Sequence, residues 1–248
     1  MAPHGEPGTS VASRSGCPDL ALQRPRALTG FMKIALAGGH GQIALLTTKL
    51  LAASGHEVWG IIRNPAHTED IEAAGGQSLV LDLEQSDSET LAGELASREV
   101  DAVVFAAGAG PGSSAERKLT VDRDGAILLA DAAWRAGAKR YVLVSAMAAD
   151  DFDPASDDVF QVYLRAKSEA DAAIRATDLD WTIVRPGGLT DDAATGLVTL
   201  APSTGRGSIP RADVAWIVSQ LLSTGGAVHQ QFEAISGETP IAEALRAL

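Results

Sequence analysis

The sequence predicts an α/β fold, a doubly wound parallel sheet with a small C-terminal lobe. Short apolar runs rich in Val, Ile and Ala alternate with longer Ala-rich stretches of helical periodicity from residue 33 onward. The short runs are apolar throughout, as in parallel strands that are buried on both faces. Glycine-rich turns follow several of these runs, at the strand ends where sheets of this kind bind ligands.

Turn residues mark the elements of the first half of the sheet. Pro65 is suited to open a helix and Gly75-Gly76 to end it, while Ser86 or Ser88 is expected to cap the next helix. Strands are predicted at residues 33–37, 57–62, 77–81 and 101–106. Helices are predicted at residues 42–53, at 66–74 and from the serine cap to about residue 97.

The second half keeps the alternation as far as residue 188. A long helix is expected from about residue 114 to residue 135, because Gly137 supplies a helix stop. The pattern loosens after Gly188, and the run at 230–235 is typical of an edge strand. Further strands are predicted at 140–145 and 180–184, and further helices at 160–177, 211–222 and 240–247.

These elements define the domain organisation that we expect. Residues 32–248 form one domain, in which about 189–248 make a small lobe on the substrate side. Residues 1–31 are rich in proline and lack the apolar core of a secretion signal, so we expect a disordered N-terminal extension. No apolar run is long enough to cross a membrane.

Composition narrows the classes of function. The 248 residues include 20 Lys and Arg against 32 Asp and Glu, giving a net charge of −12. This balance argues against nucleic-acid and anionic-membrane binders, which need a basic face. Cys17 is the single cysteine and the five histidines lack ligand spacing, so neither a disulfide nor a metal site is expected. We expect a cytoplasmic protein with a small-molecule substrate, and the oligomeric state stays open.

A glycine-rich turn joins the first predicted strand to the first helix. It reads as Gly39-x-Gly41-x-x-Ala44 or as Gly38-x-x-Gly41-x-x-Ala44. Backbone N–H groups at a helix start, with no Cβ in the way, bind a pair of phosphates. In this strand–turn–helix context the motif predicts a dinucleotide site. The residues expected to bind the cofactor here are Gly38, His40, Gly41, Gln42 and Ile43.

The end of the second strand indicates which dinucleotide binds. NAD-binding proteins usually carry an acidic residue at this point, which holds the ribose 2′-hydroxyl. Here the strand ends at Arg63, and Glu57 lies at its opposite end. A guanidinium suits a 2′-phosphate, so NADP(H) is predicted over NAD(H).

At this point the chain resembles the short-chain dehydrogenase/reductase superfamily, most closely its atypical NAD(P)H-binding branch that includes the NmrA-like proteins. The resemblance rests on the phosphate turn, on Val121-Asp122 with Gly125, on Tyr163-x-x-x-Lys167 and on the segment 184–187. It implies a Rossmann-type fold for the domain at residues 32–248. It also implies cofactor contacts from Asp82, Leu83, Ala106, Ala107, Gly108, Lys167, Pro186 and Gly187.

The same resemblance implies a catalytic group made of Ser145, Tyr163 and Lys167. Tyr163 and Lys167 share a helix face, and a nearby ammonium is expected to lower the tyrosine pKa. Ser145 would hold a substrate carbonyl while Tyr163 passes the proton and the cofactor passes the hydride. The predicted function is an NADPH-dependent oxidoreductase of a small carbonyl or cyclic substrate.

Two other functions stay open on the sequence. One is a redox sensor that binds NADP(H) without turnover, since Ser145 lacks the usual polar neighbours. The other is a nucleotide-sugar epimerase or dehydratase, for which the C-terminal lobe is small. An acidic stretch at residues 150–158 precedes Tyr163 and is interpreted mainly as solvated surface.

Overall fold

The computed structural model describes Met1, residues 30–110 and residues 112–248. The predicted extension at residues 1–31 therefore lies almost wholly outside the described residues. The strands are β1 (Lys33–Ala37), β2 (Glu57–Ile62), β3 (Gln77–Val80), β4 (Ala102–Phe105), β5 (Arg140–Val144), β6 (Asp180–Pro186), β7 (Gly188–Thr190), β8 (Leu197–Ala201), β9 (Ser208–Pro210), β10 (Gln230–Ser236) and β11 (Thr239–Pro240).

Helices alternate with the strands through most of the chain. In the described residues none of them combines the length and the apolar content that a bilayer crossing needs. They are α1 (Gln42–Ala53), α2 (Thr68–Ala73), α3 (Ser88–Ser97), α4 (Ala115–Arg117), α5 (Gly125–Ala136), α6 (Val159–Arg175), α7 (Arg211–Thr224) and α8 (Ile241–Arg246). A 3₁₀ turn at Pro65–His67 precedes α2, and a π-helical segment at Lys118–Asp124 joins α4 to α5.

One large sheet carries the site, and β1 lies inside it between β2 and β4. Its register pairs Ala35 with Trp59 on one side and with Val103 on the other, both in parallel. From β1 the chain builds outward through β2 and β3, then returns to β4 and continues through β5 and β6. This reversal leaves a crevice outside the carboxyl ends of β1 and β4, where such sheets bind ligands. The strand order is β11-β8-β10-β6-β5-β4-β1-β2-β3.

Apolar cores lie on both faces of this sheet because successive strand residues point to opposite sides. Ile34 and Leu36 of β1 belong to one core, which includes side chains of α1 and α7. Ala35 and Ala37 belong to the other, together with side chains of α3, α5 and α6. All four are fully buried. Burial on both faces explains why the predicted strands are apolar throughout, and the mostly parallel, Rossmann-like sheet confirms the predicted fold class.

The C-terminal segment differs from its prediction. The run at 230–235, expected as an edge strand, is the interior strand β10, with β6 parallel on one side and β8 antiparallel on the other. β11 extends the sheet beyond β8, and β7 pairs with β9 in a separate two-stranded sheet. The sequence does not predict these added strands because they are two to five residues long and partly exposed.

The helix predicted over residues 114–135 is interrupted by the π-helical segment. Such segments are rare and occur frequently at functional sites. Here the wider turn contains Asp122, whose side chain points inward and is 1% exposed. Nothing in the residue pattern distinguishes this turn from an α-helix.

The start of α3 also differs from its prediction. Asp87, rather than Ser86 or Ser88, is the cap residue, and its Oδ1 accepts a hydrogen bond from the backbone N–H of Thr90 at 2.7 Å. Aspartate is as good a cap as serine, so the residue types at 86–88 do not decide which of the three caps the helix.

Candidate functional site

The turn between β1 and α1 has the geometry of an anion site. Gly38 has a φ of +79°, and the backbone N–H of Gly41 donates to the Gly38 carbonyl at 2.7 Å. Gly41 caps α1 without a side-chain hydrogen bond, and the first turn of the helix holds no acidic residue. The first N–H groups of α1 therefore have no side-chain acceptor, which leaves them available to phosphate oxygens.

The turn lies directly against the sheet, and glycine is required for that approach. A Cβ on Gly38 would lie 2.6 Å from the Cα of Ala107, and one on Gly39 would lie 2.6 Å from the Cα of Gly60. Both distances are far below contact distance, and both neighbours are backbone. The cradle is thus formed by the absence of side chains, and these residues fit a dinucleotide pyrophosphate.

The turn opens into a cavity of about 350 Å³ over the carboxyl ends of β1, β2 and β4. Most of the residues predicted to bind cofactor lie together in its wall: Gly38, His40, Gly41, Arg63, Asp82, Leu83, Ala106, Ala107 and Gly108. Other predicted contacts lie outside this wall. They are Gln42 and Ile43 at the start of α1, Lys167 on α6, and Pro186 with Gly187 at the end of β6.

Charged residues that the sequence did not single out line the β2 end of this cavity. Arg117 Nη2 donates to Glu84 Oε2 at 2.7 Å, and Thr120 Oγ1 donates to Glu84 Oε1 at 2.7 Å. The Arg117 hydrogen bond holds the pKa of Glu84 below its usual value, despite some desolvation. Arg63 Nη1 lies 3.5 Å from the same carboxylate and its side chain is 56% exposed. Arg63 is thus only loosely held.

Two histidines stand at the same end. The rings of His40 and His67 are stacked with centroids 3.6 Å apart, and both residues line the cavity. His40 Nε2 lies 2.7 Å from Asp70 Oδ2. The sequence pointed to His40 through the phosphate turn. It gave no signal for His67, which reaches the cavity from the 3₁₀ turn before α2.

Tyr163 and Lys167 lie on one face of α6, next to the loop that follows β4. Lys167 is 4% exposed, and its Nζ lies 3.2 Å from Asp122 Oδ1 and donates to the Val144 carbonyl at 3.4 Å. The same Nζ is 5.8 Å from the centroid of the Tyr163 ring. The tyrosine hydroxyl makes no hydrogen bond to any described residue, so it is available to a ligand.

The electrostatics of Tyr163 differ from the expectation of a lowered pKa. Burial raises its pKa above the ordinary value of 10.0, and the opposing effect of Lys167 is smaller. Asp122 adds to the rise and, at 3.2 Å from the ammonium, offsets the positive charge that the tyrosine experiences. The arrangement keeps the phenol protonated at neutral pH, so Tyr163 is suited to donate a proton rather than to accept one.

Ser145 follows β5, and its side chain lies in the protein interior. The residue is 4% exposed, and its Oγ makes no hydrogen bond of acceptable geometry to a described residue. Burial raises the pKa of the nearby Asp171, opposed by Arg185 and by the Ser145 hydroxyl. The serine therefore lies beside a buried ion pair, where Arg185 Nη2 is 2.7 Å from Asp171 Oδ2.

Asp122 connects the cavity wall to the Tyr163–Lys167 pair. Its Oδ2 accepts a hydrogen bond from the backbone N–H of Ala109 at 3.0 Å, and its Oδ1 contacts Lys167. A Cβ on Gly108 would lie 3.0 Å from this Oδ1, so the loop passes close to the carboxylate. In the sequence, Asp122 is marked only by the family resemblance, and nothing local indicates a role for it.

We expect Asp122→Asn to destabilise the protein by about 3 kcal/mol, because removing one partner of a buried ion pair leaves an unpaired charge. The amide keeps the size of the side chain. Urea unfolding measures the loss, and Asp122→Asn combined with Lys167→Met should recover much of it. The control is Asp124→Asn, whose side chain is 50% exposed and pairs with Arg123 at the surface. A loss of stability in Asp122→Asn no larger than in this control would contradict the assignment of Asp122 and Lys167 as a buried ion pair.

Comparison with known proteins agrees with this geometry. A family described as NAD(P)H-binding matches residues 38–224. The "Uncharacterized sugar epimerase YhfK" of Bacillus subtilis (strain 168) is 36% identical over 218 residues, covering 88% of this chain and 100% of its own length. The UPF0659 protein C216.03 of Schizosaccharomyces pombe is 34% identical, covering 84% of this chain and 91% of its own length.

Two solved structures are also similar to this chain over most of its length. The "Putative NAD-dependent epimerase/dehydratase from Bacillus halodurans" is 34% identical with a TM-score of 0.80, covering 88% of this chain and 100% of that one. The oxidoreductase ylbE from Lactococcus lactis is 29% identical with a TM-score of 0.77, covering 88% and 96%. The chain therefore belongs to the NAD(P)H-binding family, within the atypical short-chain dehydrogenase/reductase superfamily.

Proposed function

We propose that this protein is an NADPH-dependent reductase of a small carbonyl compound. The observation that carries the proposal is the Tyr163 phenol, which burial and Asp122 keep protonated beside Lys167. Lys167 is in turn linked through Asp122 to Ala109, in the wall of a cavity whose turn fits a dinucleotide. A protonated phenol near a hydride donor is the arrangement that carbonyl reduction needs.

The chemistry divides between cofactor and protein. Reduced nicotinamide, when bound, supplies a hydride to the carbonyl carbon. Tyr163 donates its hydroxyl proton to the carbonyl oxygen, so an alcohol and the oxidised cofactor result. Lys167 stabilises the phenolate that this leaves, and solvent restores the proton. Asp122 holds the Lys167 ammonium in place from the other side, as a positioning residue.

The cofactor preference that we propose is NADP(H) over NAD(H). Arg63 stands at the carboxyl end of β2 with its side chain 56% exposed and only a 3.5 Å contact to Glu84. Its guanidinium can turn to a 2′-phosphate without breaking a strong ion pair. His67 and Arg117 line the same end of the cavity and add donors there.

We expect Arg63→Ala to weaken NADPH binding by about 10- to 100-fold, since a charge-assisted hydrogen bond contributes roughly 1.5–3 kcal/mol. NADH binding should change little, because that cofactor has no 2′-phosphate. Calorimetric titration of both cofactors measures the difference. Arg135→Ala, which removes an arginine 54% exposed on α5, is the matched control. Equal binding of NADH and NADPH by the parent protein would contradict the preference.

The reductase proposal is tested by net consumption of NADPH. Purified protein is mixed with NADPH and a panel of aldehydes, ketones and quinones, and the alcohol product is identified by mass spectrometry. One alcohol formed per NADPH lost supports the proposal. Tight NADPH binding without turnover of any carbonyl would contradict it and favour a redox sensor.

A second candidate is sugar epimerisation, because one relative is named a sugar epimerase and one solved structure is named an epimerase/dehydratase. An epimerase of this kind returns the hydride to its substrate, so the cofactor is regenerated in each cycle. The two functions are distinguished by incubating the protein with NADP⁺ and a nucleotide sugar and following both the redox state of the cofactor and the sugar stereochemistry. Inversion at a sugar carbon with no net formation of NADPH, because the hydride taken by NADP⁺ is returned to the sugar, would favour the epimerase.

A further inference from the structure

A second lysine stands over the Tyr163 ring on the side of the β4 loop. Lys118 begins the π-helical segment, and its Nζ lies 5.4 Å from the ring centroid. The same Nζ donates to the Gly110 carbonyl at 2.8 Å. Gly110 continues the loop whose residues 106–109 line the cavity, so the ammonium contacts both this loop and the ring of the proposed proton donor.

Lys118 forms no ion pair with any residue that the structure describes, in contrast to the other cations of the site. Lys167 pairs with Asp122, Arg117 pairs with Glu84, and Arg185 pairs with two aspartates. Within the described part of the chain no carboxylate lies within 4.0 Å of Lys118 Nζ. A half-buried ammonium that uses one of its three donors on a neutral carbonyl can still bind an anion.

An apolar surface lies beside this cation. Phe160 is 61% exposed, and its ring centroid is 6.0 Å from that of Tyr163, one turn along α6. Val159 is 42% exposed next to it. An exposed aromatic ring next to a site provides area that a flat apolar ligand can cover.

The acidic stretch before α6 acts in the opposite sense, because its carboxylates repel an anion. Three of them are already engaged in fixing the loop. Asp150 Oδ2 accepts from Arg185 Nη1 at 2.7 Å, Asp153 accepts from the N–H of Ala155, and Asp158 caps α6. Their repulsion acts over a longer distance than a direct contact with Lys118, and salt screens it.

We propose that the substrate is a flat, apolar carbonyl compound bearing an anionic group, and that Lys118 binds this group. The inference rests on the proposed reductase function and adds the class of its substrate. In this arrangement the ring lies against Phe160, the carbonyl oxygen faces the Tyr163 hydroxyl, and the anionic group pairs with Lys118.

The test compares 4-carboxybenzaldehyde with its methyl ester, in which a neutral ester replaces the carboxylate on the same ring, in NADPH-dependent reduction by the full chain. We expect the parent protein to favour the acid in kcat/KM by about tenfold, the size of one ion-pair hydrogen bond. Lys118→Met should remove that preference, so that kcat/KM falls about tenfold more for the acid than for the ester. Lys49→Met, which removes an exposed lysine from α1, should change neither substrate.

The outcomes separate the inference from the function on which it rests. Reduction of the ester without any preference for the acid would overturn the role of Lys118 and leave the reductase intact. An equal loss for both substrates in Lys118→Met would also overturn it, because that result indicates a lysine that merely fixes the Gly110 loop. If neither compound is reduced, the reductase function is decided by the wider carbonyl panel described above.

In that case binding decides the inference. Calorimetry with the NADPH complex compares 4-(hydroxymethyl)benzoate with its methyl ester. Tighter binding of the acid that Lys118→Met abolishes supports an anion site. Equal binding of the two compounds overturns it.

Discussion

Replacing Tyr163 with phenylalanine should lower kcat for carbonyl reduction by about 10²–10⁴-fold, the usual contribution of a positioned general acid. The hydroxyl makes no hydrogen bond to any described residue, so its removal leaves no partner unsatisfied. NADPH affinity and the free energy of unfolding should therefore stay close to those of the parent. Stopped-flow kinetics with a reducible aldehyde, together with NADPH titration, measure the two effects separately.

The chain offers a matched control in its second tyrosine. Tyr141 is fully buried in β5, and its hydroxyl donates to the Ala126 carbonyl at 2.9 Å. Tyr141→Phe should cost about 1 kcal/mol of stability and leave kcat nearly unchanged. If Tyr163→Phe retains the parent kcat, Tyr163 is not the proton donor.

Replacing Gly38 with alanine should abolish NADPH binding and destabilise the protein by about 2–5 kcal/mol. A residue with a Cβ at positive φ costs roughly 1–2 kcal/mol, and forcing an extra carbon into packed structure costs roughly 1–3 kcal/mol more. The new methyl would lie 2.6 Å from the Cα of Ala107, so relief requires the turn to move away from the β4 loop. That movement opens the phosphate cradle. Calorimetry with NADPH and urea unfolding measure both losses.

Gly55→Ala distinguishes the cost of backbone strain at positive φ from the cost of steric overlap of the new Cβ. Gly55 has a φ of +85°, close to that of Gly38, but a Cβ there has no atom within 4 Å. Its substitution should therefore cost only the backbone strain and leave NADPH binding unchanged. Equal behaviour of the two alanine variants would show that close approach of the turn to Ala107 is not needed for the site.

The fold could be predicted from the sequence where the local residue pattern of an element matches its burial. Strands such as β1 and β5 are buried on both faces, so their apolar runs have one interpretation. β8 has one buried residue among five and β11 has only two residues, so neither gives a clear signal. The π-helical segment contains Asp122, which contacts Ala109 and Lys167, and no local pattern encodes such long-range contacts.

The candidate site likewise combines residues that a local motif identifies with residues that only the fold brings together. The phosphate turn is a contiguous motif, so its glycines could be named before the structure. Glu84 and Arg117 lie 33 residues apart and meet only because β3 and α4 flank the same crevice. The direction of the Tyr163 pKa likewise depends on burial and on Asp122, which the spacing of Tyr163 and Lys167 does not reveal.

The pH dependence of a single turnover tests the central claim, that a protonated Tyr163 completes hydride transfer from NADPH to a carbonyl. Protein loaded with NADPH is mixed with excess 4-carboxybenzaldehyde, and loss of the reduced nicotinamide absorbance is followed from neutral to alkaline pH. Because the pKa of Tyr163 is raised, the phenol stays protonated below that pKa and is lost only as pH rises through it. The expected rate constant is constant across the neutral range and falls only above the ordinary titration range of tyrosine. NADPH that stays reduced, or a rate that already falls near neutral pH, would contradict the account.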